Sequence, residues 1–177
     1  LLLGAADFVA LKMTGKATTD TTTASTTGLM NLTTRVALDD TVFAALGISD
    51  SAWLLPPITP GGQRVEELSA TAAELLGLEA GIPVYHGPGD AGATTIGAGS
   101  GDMGSVYAYL GTSGWIAFTA QEPAQPGKGV ITLAHPMPGR YIQVAPLLTA
   151  GGNLEWVRDL FGRDNYDELI DLSLIHI

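Results

Sequence analysis

Two hydrophobic patterns divide the chain. In the first half, apolar residues recur at short helical spacings between Gly, Pro and Thr breaks. "AADFVALKMTGK" puts Phe8 and Leu11 on one helical face, with Val9 and Met13 flanking, and Gly15 supplies a stop. "ATTDTTTASTTGLMN" has no helical period and reads as a Thr-rich loop. "LDDTVFAALGI" predicts a short helix capped by Asp39 or Asp40 and ended at Gly47. "LLPPITPGGQ" reads as a connector without regular structure. In "TAAELLGL", Thr71 and Glu74 have capping-box spacing and Gly77 closes the helix. "GIPVYHG" reads as a short buried strand, and the run of small residues after Asp90 as a tightly packed helix.

The second half turns to strands. "GSVYAYLGTSGWIAFTA" predicts a hairpin turning at Gly111–Gly114. "GVITLAH" and "RYIQVAPLL" are two further strands joined through "PMPG", and "GGNLEWVRDLFG" and "NYDELIDL" close as helices. No internal repeat is present. The pattern is α/β, with a Gly/Ser-rich joint, "GAGSGDMGS", near residues 99–105.

A chain of 177 residues can hold one domain or pieces of two. It opens "LLLGAADF", without Met or a basic leader, and reads as an internal segment. No apolar run reaches the ~18 residues a membrane helix needs. Cysteine is absent, which removes disulfides, thiolate metal sites and Cys nucleophiles, and fits a cytoplasmic protein. The net charge is −10, so neither nucleic acid nor an anionic membrane surface is an expected partner. A small anion can still be held by backbone N–H groups. The last residues, "LSLIHI", reverse-translate to the end of a common sequencing adapter, so 172–177 is set aside from fold and function.

Three places could carry chemistry. Asp90 follows a strand and opens a helix; it is either an N-cap or a general base, and Gly87 and Gly89 would let a ligand approach the backbone. "LGTSGW" is either an ordinary turn or a set of N–H and O–H donors for phosphate; no Gly-Lys-Ser/Thr follows, so it is not a Walker A loop. "TAGGNLEW" is either a plain strand-to-helix turn or a helix start that a phosphate or ribose can approach. His86 and His135 lie far apart without partner spacing, and no metal ligand set is assigned. Trp115 and Trp156 read as core or pocket wall, and Asp164, Asp167, Glu168 and Asp171 as a solvated face. "NLT" at Asn31 matches a glycosylation sequon by pattern only.

The order of these blocks is more telling than any one of them. "DFVALKMTG", "TDTTTAS-TTGL", "LPP", "AGIPVYHGPGDAGATTIGAG", "GTSG" and "GGNLEWVRDL" together resemble the FGGY family of carbohydrate kinases over residues 1–171, most of all its xylulokinase-type members. The resemblance implies an actin-like, ribonuclease-H-like ATPase of two domains with a cleft between them. Residues 1–100 would be the C-terminal part of the first, sugar-binding domain, and 104–171 the beginning of the second, nucleotide-side domain. It further implies ATP and Mg²⁺, with no magnesium ligand assignable beyond Asp90.

By the same resemblance Asp90, in the G-x-G-D block, is the base. Gly111 and Thr112, with Ser113 next, contact phosphate, while Gly151 and Glu155 lie on the nucleotide side. Ala91 stands where many members carry a sugar-contacting Asn or Gln, and Thr21 where glycerol kinases are aromatic; both bear on the substrate's identity. The implied reaction is phosphorylation of D-xylulose to D-xylulose 5-phosphate. Gluconate, ribulose, rhamnulose or glycerol are alternative substrates, and a non-catalytic sugar-binding protein is a different reading. A homodimer is among the assemblies open to the full-length parent. Gly89 and Gly92 are read as leaving room for substrate. The segment by itself is expected to show no turnover.

Overall fold

The computed structural model describes residues 1–49 and 54–173, and of Leu172 and Ser173 only the backbone. The remainder of the 172–177 stretch lies outside the described residues. Helix α1 (Ala5–Thr14) ends as predicted at Gly15, whose φ of 76° places it in the left-handed region. Of its apolar positions Met13 packs against the cluster that holds Leu68, Ala72 and Val84 and Leu11 is half-buried, whereas Phe8 and Val9 are exposed; the fully buried residues of α1 are Asp7 and Ala10.

The Thr-rich stretch is no loop. Strand β1 (Thr19–Asp20) runs into helix α2 (Thr21–Thr26). β-Branched residues are poor helix formers, and here side-chain hydrogen bonds compensate. Asp20 Oδ1 accepts from Thr22 N at 2.7 Å and Thr23 N at 3.2 Å, which caps the start. At the other end Ser25, Thr26 and Thr27 donate their hydroxyls back to the carbonyls of Thr22, Thr23 and Ala24 at 2.6–2.7 Å. Helix α3 (Asp40–Ala45) is capped by Asp39, one of the two predicted acids. Within the Pro/Gly connector, β2 (Ile58–Thr59) pairs in parallel with β1.

Strand β3 (Arg64–Glu67) escaped prediction because its sequence, "RVEE", is charged. It pairs antiparallel with β4 (Pro83–Tyr85), of which only Val84 is buried; β4 is a half-covered ribbon strand, not the buried one expected. Helix α4 (Ala70–Leu76) starts two residues earlier than the Thr71 capping box implied. Ser69 Oγ accepts from Ala72 N at 3.2 Å, and Thr71 lies inside the helix. Helix α5 (Asp90–Gly97) follows β4.

The second half matches its pattern closely. β5 (Val106–Leu110), β6 (Gly114–Ala120), β7 (Ile131–Ala134) and β8 (Tyr141–Leu147) form one antiparallel sheet in the order β5-β6-β8-β7. The predicted hairpin turns between Leu110 and Gly114, which are register partners. Helices α6 (Gly151–Leu160) and α7 (Asp167–Ser173) close the chain, with Asp164, Asp167, Glu168 and Asp171 exposed. Trp115 stacks on Tyr109 at 4.0 Å between ring centres, whereas Trp156 is exposed.

Edge strand β7 is covered by the first half of the chain. Thr22 Oγ1 donates to Ala134 O at 2.8 Å, and Ala134 N donates to Ser25 Oγ at 3.0 Å. The Arg35 guanidinium donates to His135 O at 2.7 Å and Arg140 O at 2.6 Å. Edge groups that would otherwise stand open are thereby paired, and the two halves are tied through side chains more than a hundred positions apart.

His135 sits fully buried inside this junction. Its Nδ1 accepts the Met137 amide at 3.0 Å, so the ring's proton lies on Nε2, which has no hydrogen-bond partner. Burial first, then the Arg140 and Arg35 charges, hold its pKa below the ordinary imidazole value. The folded protein therefore takes up this proton less readily than the unfolded chain. The stabilising contribution is complete above the unfolded value of about 6.5 and is lost as pH falls below it, at no more than ~1.4 kcal/mol per pH unit. Thermal unfolding of the full-length protein between pH 7.5 and 5 should show this decline, and His135→Asn should flatten it; an unchanged slope would refute the assignment.

Candidate active site

Asp90 is the first residue of α5 and not its cap; the N-cap is Gly89, which leaves the carboxylate outside the helix-capping position. Its Oδ1 accepts the Ala91 amide at 2.8 Å, which fixes the rotamer, and the side chain is exposed. It faces a cavity of about 390 Å³ whose walls come from three separate segments. Gly4 and Ala5 open α1, Thr22 and Thr23 lie on α2, and Gly89 and Ala91 flank the acid. Most of this wall is small or hydroxylic, and Asp90 is its one carboxylate. Such a site can accept a polyhydroxylated molecule and take a proton from it.

Ala91 has two neighbours. It lines the cavity and also packs against the cluster of Ala117, Leu133 and Ile142 in the four-stranded sheet. One turn on, Thr95 Oγ1 donates to Ala91 O at 2.8 Å and lies 3.1 Å from the Tyr107 hydroxyl on β5. Helix α5 thus presents Asp90 to the cavity while Ala91 and Thr95 meet the sheet.

That sheet's hairpin carries the "GTS" turn. Three amides at the start of α6 donate into it: Ala150 N to Thr112 O at 2.9 Å, Gly151 N to Gly111 O at 2.8 Å and Gly152 N to Thr112 O at 3.1 Å. These amides therefore serve the turn. Gly151 supplies close approach, since a Cβ there would lie 2.7 Å from Gly111 O. Thr112 and Ser113 stay exposed at the tip, and Glu155 sits one turn into α6, exposed, 3.7 Å from Arg158. The structure joins Gly111, Thr112 and Gly151 into one unit; among the described residues no hydrogen bond links that unit to Asp90.

Two glycines beside Asp90 are tightly packed. A Cβ on Gly92 would come within 2.8 Å of Pro88 Cβ and 2.9 Å of Pro136 Cγ, and one on Gly89 would collide with Thr23 Oγ1. Close packing of α5 against its neighbours is enough to forbid side chains at both, while Gly89 also lines the cavity.

Beneath the cavity lies a buried polar cluster that spacing in the sequence did not disclose. His86 Nε2 is 3.2 Å from Thr18 O and 3.1 Å from Asp7 Oδ1, and Nδ1 is 3.0 Å from Gly87 O. The ring's N–H direction favours Thr18 O, so Asp7 Oδ1 is close to the imidazole without a well-aligned hydrogen bond. Asp7, Asp20 and His86 bring one potential ligand atom each within 4.8 Å of one another. Asp20, however, already accepts from Thr22 N, Thr23 N, Thr23 Oγ1 and Gly89 N, which fills the roughly four acceptor sites of a carboxylate. The cluster is wired by hydrogen bonds and has little left for an ion.

A model of the N-terminal domain of the FGGY family of carbohydrate kinases matches residues 1–97, and the chain belongs to that family. An erythritol kinase from Brucella abortus is 37% identical over 158 residues, covering 85% of this chain and 30% of its own length. A xylulose kinase from Escherichia coli is 29% identical over 166 residues, covering 93% and 33%. The ligand-bound xylulose kinase of Lactobacillus acidophilus superposes with a TM-score of 0.84 at 25% identity, over 96% of this chain and 34% of that one. The fold is the actin-like ATPase fold of these kinases, and the chain spans about a third of the length of the curated relatives it matches. Among the described residues no helix is long and apolar enough to cross a membrane.

Proposed function

We propose that the full-length protein transfers the γ-phosphoryl group of ATP to a hydroxyl of a sugar or polyol, with Asp90 as general base. The observation that carries this reading is the exposed Asp90 carboxylate on the wall of the small-residue cavity. Phosphoryl transfer passes through a loose transition state, so the protein mainly positions groups and stabilises charge. Asp90 orients the attacking hydroxyl and takes its proton as the new O–P bond forms and the bond to the leaving ADP oxygen breaks. The Thr112 and Ser113 tip offers donors to the phosphates. Gly151 holds α6 close behind it, and Glu155 faces the nucleotide side.

Asp90 would also be an oxygen ligand of the kind that shares Mg²⁺ with nucleotide phosphates. Bound there, Mg²⁺ would neutralise phosphate charge. Residues 1–100 would serve the sugar and 104–171 the nucleotide, in a cytoplasmic enzyme.

D-Xylulose is the first substrate to test, with Ala91 beside the base leaving that end of the cavity apolar. The 37% identity to an erythritol kinase favours a tetritol as the second. ADP release by the full-length protein over a panel of ketoses, polyols and sugar acids decides between them. One acceptor should stand out in kcat/KM. Sugar binding without any ADP release would replace the kinase with a sugar-binding protein.

A further inference from the structure

We propose that Asp20 is a positioning residue for Asp90: its buried carboxylate holds the Gly89 amide and so sets where α5 begins and where the base points. This rests on the kinase reading of Asp90 given above. Asp20 is completely buried at the end of β1. Its Oδ1 alone caps α2, accepting from both Thr22 N and Thr23 N. A cap of that kind needs one oxygen, and Ser or Asn would serve as well.

The second oxygen has a different task. Oδ2 accepts the Thr23 hydroxyl and, across 69 positions of sequence, the Gly89 amide at 3.1 Å. Gly89 is the N-cap of α5 and directly precedes Asp90. Gly87 and Gly89 flank Pro88, so without an anchor this approach to the helix could pivot at either glycine. A charge-assisted bond to a buried carboxylate removes that freedom. The base is then held twice: its backbone through Gly89 and Asp20, and its side chain through the Ala91 amide. The same carboxylate joins two walls of the cavity, because Thr23 and Gly89 both line it.

The test uses the full-length protein with its best acceptor, comparing Asp20→Asn and Asp20→Ser. Both variants keep an oxygen able to cap α2; in neither does an anionic second oxygen reach Gly89. Misplacing a catalytic group by about 1 Å can cost on the order of 100-fold, so kcat should fall about 10- to 100-fold in both. Acceptor affinity and the KM for ATP should stay within about threefold. Hydrogen exchange at the Gly89 amide should quicken by at least about tenfold while the α2 amides keep their protection. A kcat within about twofold of the parent, or unchanged exchange at Gly89, would overturn the proposal, as would loss of α2 protection in step with lost acceptor binding. A parent protein without acceptor-dependent ADP release would instead bring down the kinase reading of Asp90, and this inference with it; unchanged Gly89 exchange in the variants refutes the Asp20 tie alone.

Discussion

Asp90→Asn in the full-length protein should lower kcat by roughly 10²–10⁴-fold, the range expected when a general base is removed. Acceptor binding should change little. Asn has nearly the same shape and can still accept the Ala91 amide that holds the native side chain at 2.8 Å. What it cannot do is take the proton of the attacking hydroxyl. Steady-state ADP release gives kcat, and calorimetric titration of the acceptor gives affinity. A variant retaining more than about a tenth of the parent's kcat would remove Asp90 from the base role, because positioning alone survives the substitution. Equal losses of kcat and of binding would make Asp90 a binding residue only.

Gly92→Val should strongly destabilise the protein. Its Cβ meets two proline rings, Pro88 at 2.8 Å and Pro136 at 2.9 Å, and Thr22 Oγ1 at 3.1 Å. Proline rings cannot swing aside as a flexible side chain would, and Thr22 is committed to Ala134 O on β7. Overpacking of this kind costs typically 1–3 kcal/mol, and Val adds branches beyond the Cβ, so a loss near the upper end, about 3 kcal/mol, is expected. Denaturant unfolding measures it. Gly92→Ala should cost less. In whatever fraction stays folded, the acceptor KM should remain close to that of the parent, since the clash is with packing. A stable Gly92→Val protein with a greatly raised KM would restore the alternative, that this glycine makes room for substrate.

Elements that carry their own signals were legible from the chain. The β5–β6 hairpin follows from two apolar, aromatic-rich runs on either side of a Gly-rich turn, and α1 and α4 end at glycines with positive φ because only glycine takes that conformation cheaply. Asp90 was legible as a candidate because an acid between a strand and a helix has few roles. Its exclusion as a cap required the backbone, which assigns that position to Gly89.

Other features depended on partners distant in sequence. Helix α2 has the wrong composition for a helix and exists because Asp20 caps it and β7 lies against it. Strand β3 is charged, and it forms where β4 offers a ladder. Asp7 and His86 are 79 positions apart and meet only when α1 packs over β4. The local pattern of the chain therefore determined the α/β class, the hairpin, most helices and the identity of the acid. Tertiary structure decided the rest. It assembled the cavity from three segments, buried Asp20 beneath it and set the glycines against proline rings. Periodicity and capping act over a few residues, whereas the partners of a buried carboxylate or a close-packed glycine come from wherever the chain returns.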